Sequence, residues 1–256
     1  MATYLTLHKK NEIIRGGDNY SLLAKRALNA IYWMLQKQNA YKYEFVSIQF
    51  KDLRHLMGLD KVEDYIPRIK TALEELRKPI NLNNFFHPHH QQKFQWYSLS
   101  FLDEVGFTNE KGQRIAKIKV NTLMKHLMQV EGNFTKLDLL LYQNRMRTKY
   151  AMKLYEFFKS FQSYHYIDVT LGYMQKLLSL EGLVKYRHFS QVRQLLERQI
   201  QEIRKKTDLD TITMESHPKE RVFKFIINPN ALKSSPSQDE KSKVLHALLT
   251  QTFAKF

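Results

Sequence analysis

The chain has 256 residues, 43% of them apolar, enough for one large or two ordinary hydrophobic cores, which excludes a mostly disordered protein. Lys and Arg number 41 against 25 Asp and Glu, a formal charge of +16, so a polyanion is the expected partner and nucleic acid the first candidate. Cysteine is absent, which excludes disulfides and thiolate metal sites, and no apolar run of about 18 residues, signal peptide or lipidation site is found, so the expected setting is the bacterial cytoplasm with no membrane partner.

The first strongly periodic segment is Ser21 to Gln38, where Leu22, Leu23, Ala27, Ala30, Ile31, Met34 and Leu35 recur at helical spacing. A short β-rich run, Tyr43 to Phe50, precedes a compact helix from Lys51 to Met57 that stops at Gly58. A second helix is predicted over Val62 to Lys78, with Ile66, Ile69, Leu73 and Leu76 as its core face. Beyond Pro79 the period changes to two. Residues Gln95 to Phe101 and Ala116 to Val120 alternate, and the polar stretch Asn109 to Gly112 is expected to join them as a hairpin. Helix, short strand, helix, turn, helix, hairpin is the order of a winged helix-turn-helix.

That order then repeats, which points to two copies of one unit. Leu137 to Phe161 reads as one long helix, Tyr166 to Val169 as the short strand, and Tyr173 to Leu178 as the compact helix. A turn through Gly182 leads to a helix from about Arg187 to Lys206, with Phe189, Val192, Leu196, Ile200 and Ile203 on its core face. Strand-like runs Thr211 to Glu215 and Arg221 to Ile227 flank a polar tip, Ser216 to Glu220, as a second wing. The expected fold is α+β, mainly helical, with two tandem winged helix-turn-helix domains and β-hairpin wings. The expected divisions are an N-terminal domain over 1–132, a C-terminal domain over 133–230, and a polar linker with a short tail helix over 231–256.

A recognition helix buries one face and presents hydrogen-bonding side chains on the other, because base edges are read by donors and acceptors. From Lys185 to Lys206 there are seven Lys or Arg and two Glu, whereas Val62 to Lys78 holds four residues of each sign. The second helix is therefore the expected principal reader. At about 100° per residue, Arg187, Gln191, Gln194, Arg198, Gln201 and Lys205 fall opposite its core face, which reads as entirely basic or amide. Arg187, Gln191, Gln194 and Arg198 are the expected base readers, since Arg and Gln match guanine and adenine. Lys185, Lys205 and Lys206 are expected on phosphates, with Lys219 and Arg221 on the wing and Arg145, Arg147 and Lys149 on the long helix as further backbone contacts. Arg68 and Lys70 are the corresponding candidates in the first domain.

The second half resembles the initiator proteins of iteron-containing plasmids, the RepB-like Rep superfamily. The resemblance rests on Asn133-Phe134-Thr135, the run Thr148 to Glu156, Lys185-Tyr186-Arg187-His188-Phe189, and Glu202 to Leu209, in the family's order. The first half is similar mainly in architecture and in the opening Asn11 to Leu35. The resemblance implies binding to repeated origin sites in double-stranded plasmid DNA and a homodimer formed through the N-terminal domain, with a DNA-binding monomer form. It also implies autorepression, origin opening, and recruitment of the host initiator and replicative helicase.

Three other readings compete. A rolling-circle nicking enzyme pairs a His-x-His metal site with a Tyr nucleophile, and His87-Pro88-His89 and Tyr150 stand in that order. The histidines fall in a polar loop without an apolar strand to fix them, so no metal, cofactor or enzymatic activity is expected. A transcriptional repressor of the same fold is the harder alternative, and RNA binding stays open. No Gly-rich phosphate loop with Lys-Ser or Lys-Thr is present, so ATP-driven unwinding is not expected of this chain. Gln251 to Phe256 resembles a sliding-clamp peptide, with Phe253 and Phe256 as anchors.

Overall fold

The computed structural model describes residues 5–15, 18–87, 92–129 and 134–230. The tail helix, the clamp-like peptide, Pro88, His89 and the junction at Gly132 and Asn133 lie outside them. In chain order the elements are β1 (Thr6–Lys10), α1 (Asn11–Arg15), α2 (Leu22–Gln38), β2 (Val46–Gln49), α3 (Phe50–Leu56) and α4 (Tyr65–Glu75). Then come β3 (Ile80–His87), β4 (Gln92–Leu99), β5 (Leu102–Glu110), β6 (Gln113–Val120), α5 (Thr122–Met128), β7 (Phe134–Asp138) and α6 (Leu139–Arg145). The chain continues with α7 (Lys149–Lys159), β8 (Tyr166–Thr170), α8 (Leu171–Leu177), α9 (Phe189–Lys206), β9 (Thr213–His217) and β10 (Val222–Ile226). Contacts gather the described residues of 1–10, 20–81 and 98–149 into one compact unit, and those of 11–19, 82–97 and 150–256 into a second.

The first unit contains a winged helix. Ser21 starts α2 by accepting a bond from the Ala24 amide at 3.2 Å, and Asn39 ends it in the left-handed conformation that Asn tolerates. The apolar positions anticipated on α2 are buried at Ala27, Ala30, Ile31, Met34 and Leu35. Its sheet runs β2-β6-β5, all antiparallel, so the short strand between helices pairs with the last strand of the wing. Lys111 and Gly112 both take positive φ at the wing tip, as a tight two-residue hairpin turn requires.

Three expectations about elements change. Residues 95–101 do not pair with 116–120. Strand β4 pairs with β3 as a separate two-stranded sheet, and the partner of β6 is β5. The change of sheet comes at Phe101 and Leu102, whose amides both donate to the Leu76 carbonyl at 3.1 Å and whose side chains are buried. The helix predicted over Val62 to Lys78 is shorter, since α4 starts at Tyr65. Before it, the Arg54 guanidinium donates to the carbonyls of Leu59, Asp60 and Val62 and holds them as a turn. Pro67 is tolerated because it sits in the first turn of α4, where its missing N–H has no helical partner. The single long helix expected over Leu137 to Phe161 is instead the last two residues of β7, then α6 and α7. Strand β7 pairs with β1, and the Met146 carbonyl between the helices accepts from Arg26 at 2.9 Å.

The second unit contains the other winged helix, with sheet order β8-β10-β9. This is the arrangement of β2-β6-β5 over again. Its core is aromatic. Phe158 meets Phe225 at 5.0 Å, and Phe189 stacks on Phe223 at 4.4 Å with the rings 6° from parallel. Val192, Leu196, Ile200 and Ile203 of α9 are buried against it, as the periodicity predicts. The fold is thus α+β with antiparallel sheets and two winged helices.

Candidate nucleic-acid interface

Helix α9 is held at both ends. At its start the Gln191 side-chain oxygen accepts from the His188 amide at 3.1 Å, closing the first turn in the manner of a capping box. At its end Asp208 accepts from the Tyr155 hydroxyl at 2.9 Å and from Lys159 Nζ at 2.7 Å, tying the last turn to α7. The lead-in is a 3₁₀ turn, Val184–Tyr186, whose Tyr186 carbonyl accepts from the Gln175 amide at 2.7 Å. These bonds leave α9 little freedom to roll, so the face it shows to solvent is defined.

That face carries Ser190, Gln194, Glu197, Arg198, Gln201, Arg204 and Lys205, all exposed. Lys185 and Arg187 are exposed just before it. The expectation of an entirely basic or amide surface is corrected by Glu197, which lies within the exposed arc and pairs with Arg193 one turn earlier at 3.5 Å. Gln191 is half-buried and committed to the cap, so its acceptor is engaged before any base is met. Lys206 is half-buried and ion-paired with Glu202 at 2.8 Å, which leaves Lys205 the more available cation of that pair. Arg198 folds back through Nε onto the Gln194 carbonyl at 3.2 Å while the residue remains exposed.

The wing turn presents Lys219 and Arg221, both exposed. Arg221 takes a positive φ of 56°, and its carbonyl accepts from the Leu171 amide at 2.8 Å, joining the wing to the start of α8. Lys185, Arg187, the α9 face and the wing turn all belong to the second unit. The remaining candidates do not. Arg145 ends α6, Arg147 follows it and Lys149 opens α7, and all three group with the first unit, as do Arg68 and Lys70.

In the first unit α4 exposes Arg68, Lys70 and Glu74, while Glu75 is tied to the Ser21 amide and hydroxyl at 2.6 Å each. Lys70 lies 5.1 Å from the Phe107 ring of β5. The wing of this unit exposes Lys111 and Arg114, which sequence reasoning did not single out although both flank the hairpin glycine. Lys117 on the same strand is neutralised by Glu110 at 2.8 Å.

Tyr150, the nucleophile of the nicking alternative, is half-buried in α7, with the Tyr186 ring 6.5 Å away edge-on. Burial first, and then the neighbouring Tyr186, raises its phenol above the ordinary tyrosine range, so the phenolate is disfavoured. His87 ends β3. Among the described residues no cluster of three His, Asp or Glu is placed to hold a metal ion, and no helix is long and apolar enough to cross a membrane.

Comparison with known proteins bears on this architecture. A family described as Initiator Replication protein, WH1, matches residues 6–159. No curated protein sequence matches the chain. Among solved structures, domains 2 and 3 of RctB are similar at a TM-score of 0.50 and 11% identity, over 81% of this chain and 82% of that one. At that identity the likeness concerns the fold.

Proposed function

Because the chain belongs to the replication-initiator family, we propose that it starts replication of a bacterial plasmid by binding repeated origin sequences in double-stranded DNA. The observation that carries this reading is the second winged helix, whose α9 turns a mainly cationic and amide face to solvent. In it α9 enters the major groove, Arg187, Gln194 and Arg198 meet base edges, and Lys185, Gln201, Lys205 and the wing residues Lys219 and Arg221 meet the backbone.

The N-terminal domain, 1–132, shares DNA contacts with dimerisation, and 133–230 carries the principal reader. The dimer represses its own promoter, the monomer binds the repeats, and host initiator and helicase are recruited in the cytoplasm. Origin opening then draws on binding energy and DNA deformation rather than on covalent chemistry, so the role is not enzymatic.

The test is binding of the wild type and of Arg187→Ala with Arg198→Ala to origin duplex and to shuffled duplex across a salt series. Wild type should prefer the origin, and the double variant should lose that preference at about 1–3 kcal/mol per base contact. Equal binding of the wild type to both duplexes would leave a non-specific nucleic-acid binder in place of an initiator.

A further inference from the structure

The turn leading into α9 exposes an aliphatic pair. Val184 is 84% exposed and Leu183 beside it 47%, the former more than any other large apolar side chain among the described residues. The turn itself is well bonded. The Leu183 amide donates to the Leu180 carbonyl at 3.1 Å, the Tyr186 amide to Leu183 at 2.9 Å, and the Arg187 amide to Val184 at 3.3 Å. Tyr186 is buried, and its carbonyl is held by Gln175 at 2.7 Å. A β-branched side chain on such a backbone keeps few rotamers, so the Val184 methyls occupy a set position outside the core.

Two apolar side chains are far short of the roughly 1,000 Å² that a specific protein interface needs. Their neighbours are Lys185 and Arg187, both exposed, with Glu181 the one acid in the turn. A small apolar spot flanked by cations, directly before a recognition helix, fits a polyanion that displays a single apolar group. Double-stranded DNA does so in the major groove, where the C5-methyl of thymine is the only such group. We infer that Val184 reads a thymine methyl at the edge of the site met by α9, an inference that rests on α9 being the major-groove helix. It would give this chain one specificity determinant that donates and accepts no hydrogen bond.

The test uses the full chain and the duplex it enriches from a randomised pool, with each thymine replaced in turn by uracil, which differs only in lacking the methyl. Wild type should bind about three- to fivefold more weakly at one or two such positions, the effect of exposing about one methyl. Val184→Ala should lose that sensitivity at one of them and keep the others, with an unchanged thermal midpoint because the side chain is exposed. A wild type indifferent to every uracil, or a Val184→Ala variant as sensitive as wild type at every thymine, overturns the methyl contact while leaving α9 as the reader. Enrichment of no sequence at all overturns the reading of α9, and the methyl contact with it.

Discussion

Helices α4 and α9 occupy the same place in two copies of one topology, yet they present different chemistry. Helix α9 has five Lys or Arg against two Glu, while α4 has Arg68 and Lys70 against Glu74 and Glu75. The difference extends to how each is held. Glu75 of α4 is spent on the start of α2, so the first winged helix uses an acid of the helix that corresponds to α9 to brace its own fold. In the second, the corresponding bracing comes from Asp208, beyond the end of α9, and the helix face stays open to a partner. Duplicated architecture therefore does not imply duplicated function, because the wheel position of a few charges decides what a helix can meet.

The core that supports α9 is where a substitution should cost the most. Phe223→Ala removes a fully buried ring stacked on Phe189 and should cost about 3–5 kcal/mol of stability in urea denaturation. An unchanged midpoint would mean that the aromatic stack does not anchor the helix.

Arg187→Ala with Arg198→Ala should lower preference for the origin by about 1–3 kcal/mol per base read, whereas Arg68→Ala with Lys70→Ala should leave preference intact and flatten the salt dependence by about one unit for each phosphate no longer neutralised. Equal loss of preference from both pairs, in the same salt series, would make the two helices equivalent readers.

The helix starts also differ. Ser21 caps α2 and binds Glu75 as well, while Thr170 caps α8 through the Tyr173 amide at 3.3 Å. Ser21→Ala is expected to cost about 1–2 kcal/mol and Thr170→Ala about 0.5–1 kcal/mol, read from thermal unfolding. The reverse order would show that Glu75 contributes nothing as a brace. Smallest of all, Lys205→Ala should flatten the salt dependence of DNA binding more than Lys206→Ala, because Lys206 is already paired with Glu202. Matching slopes for the two variants would mean that the ion pair opens on DNA.

Periodicity and charge, which are local properties, determined a good deal. The buried stripes of α2 and α9, the compact helices α3 and α8, the short strands β2 and β8, the hairpin turn at Lys111 and Gly112, and the repeat of the whole order are all legible along the chain, since each is a matter of neighbours a few residues apart. Tertiary structure alone decided which strands pair. Leu137 and Asp138, the end of strand β7, read as the opening of a helix because the strand's partner β1 is far away along the chain, and β4 looked like the wing because nothing local says that Phe101 and Leu102 turn on the Leu76 carbonyl. It also decided which polar side chains of α9 remain available. Gln191 read from sequence as a member of the periodic reading face and Lys206 as a phosphate contact, while Glu197 was not counted on that face, but a hydrogen bond or ion pair about a single turn away engages each of them, and such commitments depend on side-chain geometry that spacing does not contain.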